Sequence, residues 1–416
     1  MTDGEGLAGR SFRLFWGAAT ISLFGDAVTS LALPLTAAIT LGASALQMGL
    51  LTAFGLLPHL LLYLPAGVLV DRHRRQPVMI LADLGRALLI GSVPALALSG
   101  HLSIQALYLI AFAAGALQVL FRLAYSGRLQ SLVASPLRPA ANGRLSLSRS
   151  LSFLAGPGVA GLLVQIIGAP LSLLTDAASF LASAGLVTGI RAQEPPPAGS
   201  PQSLWQGISE GVRFTFSHPI LRPFYLLLST MNFFNFIYSA LGVLYMVREL
   251  HLPPVLIGIP PVLAGLGAII GSLAAAPLAR QAGIGRTMVA GEVMFTGGFL
   301  AVPLAFGPPL TATAIIGAGF VIVGIGLMLL DANASTMLQA LIPGHLMGRA
   351  TAANDQLNWG VRPLGALVGG LLGQWLGLHP ALWIGTLGAL GAALCLVATR
   401  VRRFRLDDSP GSPGST

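Results

Sequence analysis

Charged residues are scarce in this chain of 416 residues. They make up 9% of it, whereas a soluble domain carries roughly 25%. Lysine is absent, and Cys395 is the single cysteine. One cysteine excludes an intrachain disulfide and a thiolate metal cluster. The absence of lysine removes the Gly-Lys-Ser/Thr loop that binds nucleotide phosphates, so the sequence argues against a soluble enzyme and against direct ATP coupling.

Long apolar runs dominate what is present. Hydrophobic residues make up 54% of the chain, and mean hydropathy is +0.79. A helix that crosses a bilayer needs about 20 mostly apolar residues. Runs of this kind predict an all-α membrane protein with twelve transmembrane helices, at 14–40, 46–70, 78–99, 103–127, 146–168, 171–190, 219–246, 255–279, 287–306, 310–332, 350–376 and 379–398.

One segment interrupts the series of apolar runs. Residues 191–218 begin with a Pro-rich stretch that cannot form a helix. Leu204, Ile208, Val212 and Phe216 then recur at helical spacing, which is typical of an amphipathic helix at a membrane surface. We therefore predict a first six-helix bundle at 1–190, a cytoplasmic linker at 191–218, a second bundle at 219–398 and a cytoplasmic tail at 399–416.

The arginines predict the orientation. If the N-terminus is cytoplasmic, 20 of the 23 arginines lie on the inner side, as the positive-inside rule requires. The net charge of +9 would suggest nucleic-acid binding in a soluble chain. Here the arginines lie in short loops between apolar runs, so we expect a bacterial inner-membrane protein with both termini inside and no nucleic-acid partner.

Three short matches recur in the same order in the two halves of the chain. Two of them have an offset of 209 residues and the third has an offset of 205. This pattern predicts two six-helix bundles related by a parallel repeat. The matched pairs are 129–133 with 338–342, 143–144 with 348–349, and 161–168 with 370–377.

The loop after the second run carries the most specific motif. The sequence from Gly67 through Asp71, Arg72 and Arg75 resembles the signature loop between helices 2 and 3 of the major facilitator superfamily, although Arg74 replaces its second glycine. The resemblance implies a twelve-helix transporter whose loop gates the cytoplasmic side. We expect Gly67 to permit close helix packing and the charged residues to form the gate.

Further motifs resemble the branch of that superfamily that contains the enterobactin exporter and the macrolide efflux pumps. Asp83 and Arg86 in the third run are spaced i, i+3, so they can pair with each other or with the gating loop, in a structural or gating role. Gly156-Pro157 in the fifth run resembles the helix-bend motif of exporters. The second-half loop at 271–286 lacks an acid, and an Arg-x-x-Gln-Gly pattern is missing from the fourth run. The motifs therefore leave the coupling ion open.

Polar residues inside the apolar runs are the candidate site. Asp26 is expected near mid-membrane, where inserting a carboxylate costs roughly 2.5–3.5 kcal/mol on insertion scales. A residue with this cost is a candidate for a functional role. We predict that Asp26 binds the coupling proton, with a structural hydrogen-bonded role as the alternative. Asp176 and Glu292 are the other candidate coupling acids, with pairing or snorkelling to the interface as their alternative. Candidate residues of the substrate cavity are Gln118, Arg122, Asn232, Asn235, Asp331 and Asn358.

These observations favour a monomeric secondary transporter that exports a small amphiphilic molecule, such as a drug, a macrolide or a siderophore, in exchange for protons. No catalytic residues, cofactor or metal site are expected, because the seven histidines are scattered. Its partners would be the substrate, protons and the lipid bilayer. The alternatives are an importer or uniporter of the same fold, and a membrane sensor or scaffold that transports nothing.

The predicted orientation can be checked with single cysteines in a Cys395→Ser background. Ser99→Cys in an outer loop should react with a membrane-impermeant maleimide in intact cells. Arg74→Cys in the gating loop should react only after permeabilisation. The opposite pattern would contradict the orientation.

Overall fold

A computed structural model describes residues 7, 9–192, 194 and 212–404, with the side chains at 64, 344–345, 348–350, 352–355 and 357 outside the description. Most of the predicted amphipathic linker helix, including Leu204 and Ile208, and the end of the tail from 405 onwards also lie outside it.

The described part of the chain is helical and contains no β-strand. The first half provides α1 (Arg10–Leu35), α2 (Ala45–Asp71), α3 (Arg75–Leu98), α4 (Ile104–Leu132), α5 (Arg138–Ile167) and α6 (Ala169–Thr188). The second half provides α7 (Leu221–Arg248), α8 (Pro254–Ala282), α9 (Ile284–Gly298), α10 (Pro309–Leu341), α11 (Gly344–Leu376) and α12 (Leu378–Val397). A π-helical turn at Thr36–Thr40 follows Pro34 at the end of α1.

Ten helices among the described residues are long and apolar enough to cross a membrane. Of the others, α9 has 15 residues, and α11 also falls outside this set. Many leucines point away from the protein: Leu88 and Leu98 are each 76% exposed and Leu109 is 70% exposed. Helices that are apolar on their exterior as well as their interior are typical of membrane spans. The chain is therefore a multi-pass membrane protein.

The helices form two units. The first comprises Met1–Ala43, Phe54–Pro201 and Pro253–Gly258, and the second comprises Ser44–Ala53, Gln202–Leu252 and Ile259–Thr416. The start of α2 thus belongs to the second unit and the start of α8 to the first. The simple division into 1–190 and 219–398 stays a prediction that this assignment does not test.

The predicted repeat is visible in the helix bounds. Helix α12 begins and ends 209 residues after α6, and α9 begins 209 residues after α3. The residue before α6 is Gly168, with φ of 86°, and the residue before α12 is Gly377, with φ of 91°. These positive φ angles favour glycine because it lacks a Cβ atom.

Packing within each unit follows the same pattern. In the first unit α1 packs against α5 and α6, and α3 packs against α4 and α6. In the second unit α7 packs against α11 and α12, and α9 packs against α10 and α12. Each pair in one unit has its counterpart in the other, so the sequence repeat corresponds to a repeat of helix packing.

Small residues allow the closest helix contacts, as is usual in membranes. In the second unit, a Cβ atom on Gly324 of α10 would overlap the carbonyl oxygen of Ala264 in α8 and lie 2.7 Å from the nitrogen of Ala268. A Cβ atom on Gly271 of α8 would lie 2.5 Å from the carbonyl oxygen of Ile325. Helices α8 and α10 therefore touch through backbone atoms.

The start of the predicted tail is part of the second unit. A 3-10 turn at Arg400–Arg403 places Val401 and Phe404 in the hydrophobic core of the second unit, where they are 0% and 2% exposed. The Gly285 amide donates to the Phe404 carbonyl at 3.2 Å. The end of the linker also joins this core, because residues 212–217 are helical and Phe214 packs against the same cluster.

The backbone contact of α8 with α10 predicts a packing defect. Gly324→Ala should destabilise the protein by roughly 1–3 kcal/mol, because the methyl group cannot fit. Gly391→Ala on α12 is the matched control, since a Cβ atom there meets nothing within 4 Å. Both substitutions gain helix propensity, so the difference between their thermal unfolding midpoints in detergent isolates packing. Equal midpoints would contradict the contact.

Candidate functional site

Arg86 of α3 lies at the centre of a charged cluster in the first unit. Its Nη2 donates to Asp83 Oδ1 one turn earlier, and its Nη1 lies 3.6 Å from Asp26 Oδ1 of α1. Asp83 is fully buried and the Arg86 side chain is 3% exposed, whereas the Asp26 side chain is 31% exposed. Asp26 lies roughly 24 Å along α1 from its start, at 1.5 Å per residue, which places the cluster deep in the membrane.

Two aromatic rings sandwich the guanidinium. Its Cζ atom lies 4.1 Å from the ring centroid of Phe180 in α6 and 4.6 Å from that of Phe121 in α4. A cation over a ring face is stabilised by the ring's quadrupole, more strongly where water is excluded. Four helices of the first unit therefore place side chains around one positive charge.

A third carboxylate, Asp176 of α6, lies near the same place. It is 0% exposed, accepts from the Thr29 hydroxyl of α1, and receives a 3.1 Å hydrogen bond from the Ser179 hydroxyl. Gly25 allows this approach, because a Cβ atom there would overlap the side chains of Asp176 and Ser179. The Gly25-Asp26 dipeptide thus brings α1 against α6 and places a carboxylate beside Arg86.

A cavity of about 230 Å³ opens beside the cluster. Asp26, Arg86 and Asp176 line it, together with Gln118 of α4. Thr29 and Ser30 add hydroxyl groups, and most of the remaining wall is apolar, including Ile90 and Phe180. The cavity combines an apolar wall with a few charged and amide groups, which is the usual composition of a small-molecule site.

The balance of charge determines what the cluster can do. Three carboxyl groups share one guanidinium, and no other charged side chain among the described residues forms an ion pair with them. Full ionisation would leave two uncompensated negative charges in a low-dielectric region, where like charges oppose ionisation. The cluster can therefore hold a proton, and the partly exposed Asp26 is the carboxyl group best placed to exchange it.

The predicted gating loop lies at the end of α2. Asp71 and Arg72 are exposed, and the Arg72 amide donates to the Leu69 carbonyl at 3.2 Å. Arg75 begins α3, and its Nη1 donates to the Gly127 carbonyl of α4 at 3.2 Å. Of the predicted loop residues, Arg75 is therefore anchored to a neighbouring helix, while Asp71 and Arg72 face outward.

A clasp formed by Gln76, Arg128 and Glu194 holds the start of α3. The Glu194 carboxylate accepts from the amides of Arg75 at 2.6 Å and Gln76 at 3.3 Å, and so caps the helix N-terminus. The fully buried Arg128 donates to Gln76 Oε1 at 3.0 Å and to the Ala192 carbonyl at 2.8 Å. The Gln76 side-chain amide donates to the carbonyls of Val187 and Ile190 at the end of α6. The first linker residues are thus bound to the gating loop.

Two expectations about the gating group have different outcomes. Asp83 and Arg86 pair with each other, which is one of the two alternatives that their spacing allowed, and they contact α1, α4 and α6 two to three helical turns beyond Arg75. We expected Gly67 to permit close packing, but a Cβ atom there would meet nothing within 4 Å. Gly156 does have such a role, since a Cβ atom on it would overlap Ala27 of α1, and the adjacent Pro157 lies inside α5.

The other cavity candidates are dispersed. Gln118 lines the cavity with Asp26, whereas Arg122, one turn further along α4, is exposed and is not part of the lining. In the second unit, the Asn232 side chain donates to its own helix at Leu228, and Asn235 is half-buried. Asp331 is exposed, and Asn358 Oδ1 accepts from Arg362 at 3.3 Å.

Sequence reasoning did not select Thr29 and Phe180 in the cavity, or Gln76, Arg128 and Glu194 in the clasp. It considered Asp176 as a further coupling acid, but not its contact with Thr29 of α1. Arg128 contributed only to the count of inner arginines. Among the described residues, no group of three or more histidine, cysteine or acidic side chains is arranged to hold a metal ion.

Comparisons with known proteins agree on one kind of molecule. Residues 15–361 match the family model of the Major Facilitator Superfamily. The multidrug efflux pump Tap of Mycobacterium tuberculosis (strain ATCC 25618 / H37Rv) is 27% identical over 393 residues, which cover 92% of this chain and 90% of that protein. Tap of Mycolicibacterium fortuitum is 26% identical and covers 94% of this chain and 95% of its own. The crystal structure of the nucleoside transporter NupG superposes with a TM-score of 0.75 at 12% identity, over 95% of this chain and all of that one, which shows the fold alone.

The buried ion pair predicts a stability defect with a specific rescue. Arg86→Gln should destabilise the protein by about 3–5 kcal/mol, because it leaves the buried Asp83 without its counter-charge. Adding Asp83→Asn should recover part of the loss. Arg122→Gln, an exposed arginine on α4, is the control and should change the thermal midpoint little. A double variant no more stable than Arg86→Gln would contradict the pairing.

Proposed function

The chain belongs to the Major Facilitator Superfamily, and on this premise we propose that it exports a small amphiphilic molecule in exchange for protons. It is a transporter of small-molecule substrates in a multi-pass membrane fold. The exported class would be a drug, a macrolide or a siderophore-like compound. The observation that carries this proposal is the cluster of three carboxyl groups around Arg86, because it can store a proton beside a cavity.

Asp26 is the proposed proton carrier. It is more exposed than Asp83 or Asp176, and it lines the cavity with Gln118. A proton on Asp26 would remove its charge and end its attraction to Arg86, while loss of the proton would restore it. A substrate whose binding favours the ionised form would therefore expel the proton, which couples the two fluxes.

The transport cycle that we propose is alternating access by two six-helix bundles, residues 1–190 and 219–398, with twelve spans in total. Helices α9 and α11 would be the two further spans beside the ten that are long and apolar enough to cross a membrane. The gating residues Asp71, Arg72 and Arg75 would close the cytoplasmic side. The protein would act as a monomer in the inner membrane, with both termini in the cytoplasm.

The similarity to two Tap efflux pumps over more than nine-tenths of the chain supports export. The short outer loops, such as 99–102 and 307–309, oppose a receptor or scaffold role, since they offer a partner little surface. An importer or uniporter of the same fold is the second candidate, and it differs in how protons move with the substrate.

Everted membrane vesicles containing a pH-sensitive dye and acidified inside provide the test. Macrolides, siderophores and lipophilic cations would be added in turn. We expect one class to make the lumen more alkaline in the wild type, because its inward movement in everted vesicles expels protons. Asp26→Asn should reduce this response to that of vesicles without the protein, and the exposed Glu249→Gln should retain it.

Each contrary result has a distinct meaning. A response that persists in Asp26→Asn moves the proton site to another acid, with Asp176 the first to replace. Substrate flux without proton movement supports a uniporter. No flux with any class, from protein shown to be folded, favours the non-transporting alternative.

A further inference from the structure

Glu292 is a buried acid that the proposed mechanism does not use. It lies in the middle of α9 in the second unit and is 1% exposed. Neither of its carboxyl oxygens has a hydrogen-bond partner among the described residues. The Thr296 hydroxyl, one turn later, donates to the backbone carbonyl of Glu292 and not to its side chain.

The repeat relates Glu292 to an acid of the first unit. An offset of 209 residues relates α3 to α9 and α6 to α12, and it pairs Glu292 with Asp83 of the charged cluster. The same offset pairs Arg86 with Phe295 and Asp26 with Asn235. The second unit therefore keeps one acid at the equivalent position and replaces the arginine and the cavity acid with uncharged residues.

The surroundings of Glu292 supply no counter-charge. Helix α9 packs against α10, α12 and the turn Arg400–Arg403, and Phe299 at its end contacts Tyr238 of α7 at 4.7 Å between ring centroids. No ion pair of the described residues includes Glu292. The titratable and charged groups on these elements and on α9 itself are Tyr225, Tyr238, Tyr245, Arg222, Arg248, Arg286, Asp331, His379, Cys395, Arg400, Arg402 and Arg403.

None of these groups places a positive charge beside Glu292 in an ion pair of the described residues. Tyr225 packs in the same cluster as Met288, one turn before Glu292, and its phenol supplies no positive charge. Asp331 follows Leu330, whose backbone faces Gly291, but its own side chain is exposed and has the same sign of charge. The arginine turn meets α9 at Gly285, roughly 10 Å along the helix from Glu292. A carboxylate here would be buried without a paired cation, and burial of that kind favours the neutral acid.

We propose that Glu292 is a second proton-binding site of the transporter, loaded with a proton in the conformation described and independent of the Arg86 cluster. Release leaves the carboxylate on α9 and delivers the proton to the side on which rearrangement admits water. The part that Glu292 plays in coupling rests on the proposed proton exchange. Its protonation state can be measured whether or not that proposal holds.

The chain is suited to a direct measurement because it contains only five glutamates: Glu5, Glu194, Glu210, Glu249 and Glu292. The full-length protein would be made with carbon-13 glutamate and studied in lipid by infrared spectroscopy across a pH series. A protonated carboxylic acid gives a C=O stretch separate from that of a carboxylate, and carbon-13 shifts it. We expect this shifted band at neutral pH and its reversible loss at alkaline pH.

Three variants assign the band. Glu292→Gln should lack it, whereas Glu249→Gln and Asp26→Asn should retain it, the latter because the site is independent of the cluster. If Glu292→Gln fails to fold, Glu292→Asp serves instead, since it moves the acid band from the glutamate label to the unlabelled aspartates.

Two results would overturn the proposal. Absence of the shifted band in the wild type at neutral pH would mean that Glu292 is ionised. A band that persists at alkaline pH until the protein unfolds would mean a permanently neutral structural residue. If the band titrates but no compound moves protons, the proposed export function fails while the proton-binding site stands.

Discussion

The positive charge of Arg86 is the constraint on which the first unit depends. A guanidinium deep in a membrane needs compensation, and it receives it from Asp83 and Asp26 and from the rings of Phe121 and Phe180. Those partners come from α1, α3, α4 and α6, so the packing of four helices is tied to one charge. The acidic groups outnumber the single positive charge, because Asp176 adds a third carboxyl group to Asp83 and Asp26. In the proposed mechanism this excess of negative charge lets the cluster take up a proton, whereas a balanced pair would serve structure alone.

The sequence predicted the helices and the repeat well, for a physical reason. Bilayer thickness determines the length of each apolar run, and the turns fall where charge or glycine interrupts it. The 209-residue offset could be read from short sequence matches between the two halves. The bounds of α6 and α12 reproduce it. Asp26 was identifiable because a lone acid in an apolar run is costly. Arg128 and Glu194 were not, because their roles depend on which loops meet in space. The i, i+3 spacing of Asp83 and Arg86 allowed their pairing to be foreseen, whereas the contacts of Arg86 with α1, α4 and α6 depend on how those helices pack.

The two units share a packing scheme but differ in charge. Helix pairs in the first unit recur in the second, so the repeat preserves shape. The residues at the positions of Asp26, Arg86 and Asp176 are Asn235, Phe295 and Gly385, which removes the cation and two acids. Only the acid at Glu292 remains. A repeat can lose a charge cluster in this way without losing its fold, because the aromatic residue Phe295 packs with Met231 and Ala389 in place of an ion pair.

Helix α3 carries the charged cluster of the proposed proton site and begins at the predicted gating loop. Its middle carries Asp83 and Arg86, and its first residues, Arg75 and Gln76, are bound by Glu194. The Gln76 side chain is also fixed to the end of α6, the helix that carries Asp176 and Phe180. Helices α3 and α6 are therefore joined at both the charged cluster and the clasp. If Asp26 carries the proton as proposed, a change in its charge alters its pull on Arg86, and the clasp links any resulting movement of α3 to α6 and the first linker residues. On that proposal, coupling between proton and gate needs no separate relay, because the two joined helices carry both.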